Sequence, residues 1–86
     1  MRLFSKFRLM ENLEKEIEQK IFQIADKIKN LRKEKGYTSH ETFAFEYDIN
    51  RVQYWRIENG RNITLKTLMK VLEIHKITLG EFFKDL

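Results

Sequence analysis

Arg51, Gln53, Trp55 and Arg56 crowd into one short stretch between Asn50 and Gly60. A guanidinium group can donate two parallel N–H bonds to O6 and N7 of guanine, a contact worth about 1–3 kcal/mol of base discrimination. Amide and indole N–H groups suit phosphate and sugar oxygens. Side chains of this kind need a rigid backbone to project them, and the flanking residues supply one. Asn50 is a good N-cap for a helix over 51 to about 58, and Gly60 can close it. Val52, Tyr54 and Ile57 are its less polar positions.

The residues just upstream predict a second, shorter helix at an angle to the first. Thr38 or Ser39 can cap it, and Thr38 with Glu41 three residues on fits a capping box. Phe43, Ala44 and Tyr47 then fall at helical spacing and face the core. Tyr47-Asp48-Ile49 reads as the turn, with Asp48 at a position that needs positive φ, which Asp tolerates better than most residues. Two angled helices, the second exposing groove-reading side chains, form a helix-turn-helix motif.

The remaining residues read as scaffold. Leu13, Ile17, Ile21, Ile24, Ile28 and Leu31 recur at spacings of four and three, an amphipathic helix pattern. That helix is predicted to begin near Met10 or Glu11 and to stop at Gly36, with Lys33 and Lys35 favouring the negative end of its dipole. Thr64 caps a fourth helix whose apolar stripe is Leu65, Leu68, Met69 and Leu72, with Val71 as a further candidate. Thr78 and Glu81 form a second capping box that opens a last helix carrying Leu79, Phe82, Phe83 and Leu86. No segment alternates as a half-buried strand does. The expected fold is all-α with five helices.

Composition narrows the function. Eighty-six residues make one small domain. There is no cysteine, which excludes disulfides, zinc fingers and cysteine catalysis. His40 and His75 lie far apart without further ligands, so neither a metal site nor a cofactor is expected. Glu41 and Glu46 are a solvated face, and no phosphate loop, Ser-His-Asp set or metalloprotease helix is present, so no enzyme is expected. No apolar run reaches the roughly 20 residues of a membrane span. Lys6, Arg8, Glu11 and Glu14 interrupt any signal-peptide core. A cytoplasmic, nucleoid-associated protein is expected. The net charge of +4 lies wholly in residues 1–35; residues 36–86 balance. Such an excess favours polyanions but equally suits a solvated helix.

The pattern resembles the XRE family of Cro-repressor and lambda-repressor-like helix-turn-helix proteins. The matching pieces are the run from Ile28 to Gly36, then Phe43-Ala44, then Arg56-Ile57-Glu58-Asn59-Gly60. Leu65 to Leu72 and Ile77-Thr78-Leu79 to Phe82 follow in the same order, so the likeness covers roughly residues 24–86. It implies a five-helix lambda-repressor-like DNA-binding domain, here with an extended N-terminal helix, that regulates transcription from double-stranded DNA. It implies that Arg51, Val52 and Arg56 read bases. It implies that His40, Asn50, Gln53, Arg61 and Asn62 contact phosphates or sit near them, and that Arg32 pairs with Glu58. The chain departs from the family pattern in several places. One extra residue follows Gly36, Asp48 replaces the usual turn glycine, and Tyr54 replaces an aliphatic core residue. Phe45 and Trp55 fill positions that are usually polar. Lys76 holds a slot often taken by glycine, and the loop after Gly60 lacks the common proline.

Trp55 has three readings: an N–H donor to phosphate, an anchor for a second protein, or peripheral core. Residues 1–20 are an extension to the helix-turn-helix domain of 21–86. Its dense apolar group, Leu3, Phe4, Phe7, Leu9 and Met10, is interleaved with Arg2, Lys6 and Arg8. It can fold back as core, pair with the same segment of a second chain as a homodimer, or lie as a basic arm on DNA or a membrane surface. The expected function is sequence-specific DNA binding and transcriptional regulation, as a repressor of this family. The alternative is a protein-interaction module, antitoxin-like, motivated by Phe45, Tyr54 and Trp55.

Overall fold

A computed structural model describes residues 2–61 and 63–86, with the side chains of residues 2–5 outside the description. Five helices follow one another: α1 (Arg2–Glu34), α2 (His40–Glu46), α3 (Arg51–Glu58), α4 (Leu65–Ile74) and α5 (Leu79–Phe83). Among the described residues there is no strand. None of the helices is long and apolar enough to cross a membrane.

The first helix starts about eight residues earlier than its periodicity predicts. Nothing between Arg2 and Glu34 stops it, since the stretch contains neither proline nor glycine. At about 1.5 Å per residue its 33 residues account for most of the 54 Å long axis. The second helix is capped by Ser39, whose Oγ accepts from the Thr42 N–H at 3.0 Å, so the predicted Thr38–Glu41 capping box does not form. The other caps stand as read from the sequence. Asn50 accepts from the Gln53 N–H, Thr64 from the Thr67 N–H, and Thr78 shares a reciprocal box with Glu81.

Helices α1 to α4 each end at a residue of positive φ. These are Gly36 (100°), Asp48 (53°), Gly60 (70°) and Lys76 (57°). After α1, α2 and α4 the closure is the same pair of backbone bonds. At Asp48, its own N–H donates to the Phe45 carbonyl and the Ile49 N–H donates to Ala44 at 2.8 Å. The same bonds recur from Gly36 and Tyr37, and from Lys76 and Ile77, satisfying carbonyls that a helix end leaves orphaned. Asp48 and Lys76 thus do a glycine's work with a Cβ in place.

The core is Ile28, Phe43, Ala44, Tyr54, Ile57, Leu68, Val71, Leu72 and Phe82. Tyr54 is fully buried and packs against Phe43 with the rings tilted by 33° and their centroids 4.9 Å apart, so the aromatic substitution is absorbed inside the domain. Phe43 also stacks on His75, with ring centroids 5.4 Å apart. Two predicted stripes are narrower than the periodicity suggests. Leu65 and Met69 on α4 are exposed while Val71 is buried, and on α5 only Phe82 is buried. The described part of the N-terminal extension does not fold back as core, because Phe7, Leu9 and Met10, like Leu13 and Ile17 beyond them, are all exposed; Leu3 and Phe4 lie outside the described side chains.

Candidate nucleic-acid interface

The orientation of α3 is fixed from inside. Tyr54 and Ile57 point into the core, and the Glu58 carboxylate accepts from Arg32 of α1 through Nε at 2.7 Å and Nη2 at 3.0 Å. The third guanidinium edge donates to the Tyr37 carbonyl at 2.9 Å, so one side chain ties α1, α3 and the loop after α1 together. Both partners are almost fully enclosed, with side chains 4% and 5% exposed, and hydrogen bonding to Glu58 raises the Arg32 pKa further above its ordinary range. The Tyr54 hydroxyl lies buried beside this fork without completing a hydrogen bond. Burial, then the neighbouring carboxylate, pushes its pKa far up, so it stays a neutral phenol.

With that inner face pinned, the roughly 100° step of an α-helix sends Val52, Arg56 and Asn59 to the opposite side. All three are exposed. Arg51, at the helix start, is exposed and reaches Glu41 of α2 at 3.6 Å. That pair is solvated on both sides and holds Arg51 only weakly. The α3 N-terminus is presented to solvent by Asn50, whose side chain caps it.

Six of the predicted contact residues, His40, Arg51, Val52, Trp55, Arg56 and Arg61, line two shallow depressions that share Trp55. One, of 400 Å³, is lined by His40, Glu41, Arg51, Val52 and Trp55, and joins the start of α2 to the start of α3. The other, of 600 Å³, is lined by Glu18, Ile21, Trp55, Arg56, Gly60 and Arg61, and runs from α3 onto α1. Trp55 is 42% exposed, so it is neither core nor fully free. Gln53 is exposed and lines neither depression, and Asn62 lies outside the described residues. Phe45, 87% exposed on α2, lines an adjoining hollow with Glu41, Thr42, Ile49 and Arg51. Its exposure is a feature that residue type alone does not predict. A further concavity, 780 Å³ between the α2–α3 turn and α4, shares none of the outward α3 residues.

Among the described residues no cluster of His, Asp or Glu could hold a metal ion. What the surface offers is an exposed, capped helix with two arginines and a tryptophan. It is held at a fixed angle to a second helix, which is the apparatus of groove recognition.

Comparison with known proteins agrees. The helix-turn-helix family model matches residues 28–82, and the chain belongs to that XRE-type family. It is a DNA-binding transcription regulator. Among its relatives is Control protein C.MunI of Mycoplasma sp, 45% identical over 65 residues that cover 74% of this chain and 88% of the relative. No solved structure matches the chain.

Proposed function

We propose that this chain is a control protein that regulates transcription by docking α3 in the major groove of duplex DNA. Arg51, Val52 and Arg56 meet base edges there. Val52 suits a thymine methyl, and the arginines suit guanine. His40, Asn50, Gln53, Trp55, Arg61 and Asn62 take the flanking phosphates, which supply affinity and salt dependence. The observation that carries this reading is the outward face of α3, exposed at Arg51, Val52 and Arg56 while its inner face is fixed by Tyr54, Ile57 and Glu58. The relative's name supports regulation as the role. A homodimer binding two half-sites completes the proposal, since a two-fold protein matches a palindromic operator.

Selection of bound duplexes from random oligonucleotides tests it. The expected product is an inverted repeat whose half-sites contain guanine. Recovery of no sequence preference overturns base reading by α3.

Phe45 favours a second use of the same scaffold, as a seat for a protein partner in the antitoxin manner, because it is 87% exposed and lines a hollow together with Ile49, and contiguous apolar surface is what marks such seats. Co-purification of a stable partner, lost in Phe45→Ser, supports that use.

A further inference from the structure

Glu41 and Glu46 stand on the same short helix with the same charge, but the fold gives them different surroundings. Glu46 is exposed and lines neither of the two hollows that meet at the start of α3. Glu41 lines both, and in both Arg51 lines the wall with it. The two side chains form the ridge between those hollows, with a Glu41 carboxylate oxygen 3.6 Å from Nη1 of Arg51. Among the described residues Arg56 and Arg61 make no such ion pair. Arg51 is thus the arginine of the outer face that a carboxylate from another helix accompanies.

A carboxylate on a surface that meets DNA carries a cost. A duplex bears one negative charge per about 1.7 Å of axis, and a phosphate brought near Glu41 is repelled. That cost is the same for every sequence, so only a sequence-dependent gain can offset it. The ion pair supplies one. In water, with side chains 68% and 59% exposed, the pair is weak. Beside a docked duplex the water is displaced and the same two charges attract more strongly. With Nη1 turned to Glu41, the Nε and Nη2 edge of Arg51 remains free to donate two bonds to guanine. The pair as a whole is neutral and grips a phosphate poorly. Penalising the wrong contact as well as rewarding the right one is how specificity exceeds affinity.

We infer that Glu41 is a positioning residue that sets base specificity, keeping Arg51 aimed at guanine and denying it to phosphates. This role deepens the base reading proposed for Arg51 and rests on it.

The test is the affinity of the full chain for the selected operator and for a scrambled duplex of the same composition, each across a salt series. The variants are Glu41→Gln, Glu46→Gln, Arg51→Ala, and Glu41→Gln combined with Arg51→Ala. All three positions are exposed, so the core stays intact. Glu41→Gln is expected to raise affinity for the scrambled duplex by roughly three- to tenfold and to steepen its salt dependence by about one counterion. Operator affinity should stay within about twofold, so the specificity ratio falls. Glu46→Gln removes the same charge elsewhere and should shift both duplexes equally. Once Arg51 is alanine, Glu41→Gln should also act equally on both. An equal effect of Glu41→Gln on the two duplexes, in a chain whose Arg51→Ala variant loses base preference, overturns the inference and leaves the base reading standing. A specificity ratio that falls as far without Arg51 as with it also overturns the inference, since Glu41 then acts on DNA directly. If Arg51→Ala loses no base preference, the base reading fails and the role of Glu41 falls with it.

Discussion

Arg32 and Glu58, 26 residues apart, close a two-bond fork at 2.7 and 3.0 Å that locks the scaffold helix α1 to the recognition helix α3. The pair is enclosed by protein, so removing one partner strands the other charge away from water. Glu58→Ala is expected to cost about 3–5 kcal/mol, much of the stability of a domain this small. Arg32→Lys should also destabilise, because an ammonium cannot make the fork and the bond to the Tyr37 carbonyl together. Replacing both partners with apolar residues of similar size, Arg32→Met with Glu58→Leu, should recover most of the loss. Urea unfolding of the four chains checks this, and a Glu58→Ala midpoint equal to wild type would contradict it.

The helix ends give a prediction of the opposite sign. Lys76 holds φ 57° at the end of α4, a conformation that costs a residue with a Cβ about 1–2 kcal/mol. Lys76→Gly should relieve that cost, less glycine's entropy, for a gain of about 1 kcal/mol. Gly60→Ala should do the reverse and more. It introduces a Cβ at φ 70° that would meet the Phe22 ring at 3.0 Å. Thermal midpoints of the two variants should move in opposite directions.

His75 makes stability depend on pH. It is stacked on Phe43, and burial first, then the Lys35 charge, lowers its pKa below the usual value of 6.5. Its Nε2 is buried without a hydrogen-bond partner, as suits a neutral ring. The folded state therefore binds its proton less readily than the unfolded chain does. This contribution is complete above pH 6.5 and is lost as pH falls below that through the lowered folded pKa. Denaturation midpoints measured from pH 7.5 down to 5 should fall for the wild-type chain more steeply than for His75→Phe; parallel curves would count against the assignment.

Much of this was legible in the residues themselves. The caps at Asn50, Thr64 and Thr78 carry their own chemistry, and Gly36, Asp48 and Gly60 mark helix ends because each tolerates a left-handed turn, whereas the left-handed Lys76 was marked only by the family resemblance. The Arg32–Glu58 pair followed from the family resemblance and is present. What escaped reading was set by three-dimensional context. Periodicity does not tell a buried stripe from an unpartnered one, so Leu65 and Met69 read as core although they are exposed. Neighbouring Thr38 and Ser39 are both competent caps, and the backbone path chose Ser39. The start of α1 was hidden because a helix without a stop signal has no local reason to end. Trp55, offered three roles by its type, stands at the junction of two hollows on the outer face of α3.

Trp55 supplies a spectroscopic prediction. A duplex seated across both hollows would cover its ring, so bound operator should quench or shift its fluorescence and shield it from acrylamide. Trp55→Phe should keep base preference while losing affinity by about five- to tenfold, since it removes one N–H donor to the backbone. Quenching by acrylamide that is unchanged on operator binding would exclude Trp55 from the contact surface.

The most direct test is the affinity of Arg51→Ala and Arg56→Ala for a selected operator, beside a charge-matched control at exposed Lys84, Lys84→Ala. Each recognition-helix change should weaken operator binding by about 5- to 150-fold, corresponding to about 1–3 kcal/mol, and should relax the preference at one base position. The control should act only through net charge, equally on all sequences. If Arg51→Ala and Arg56→Ala both bind the operator as tightly and as selectively as the wild-type chain, α3 does not read this DNA.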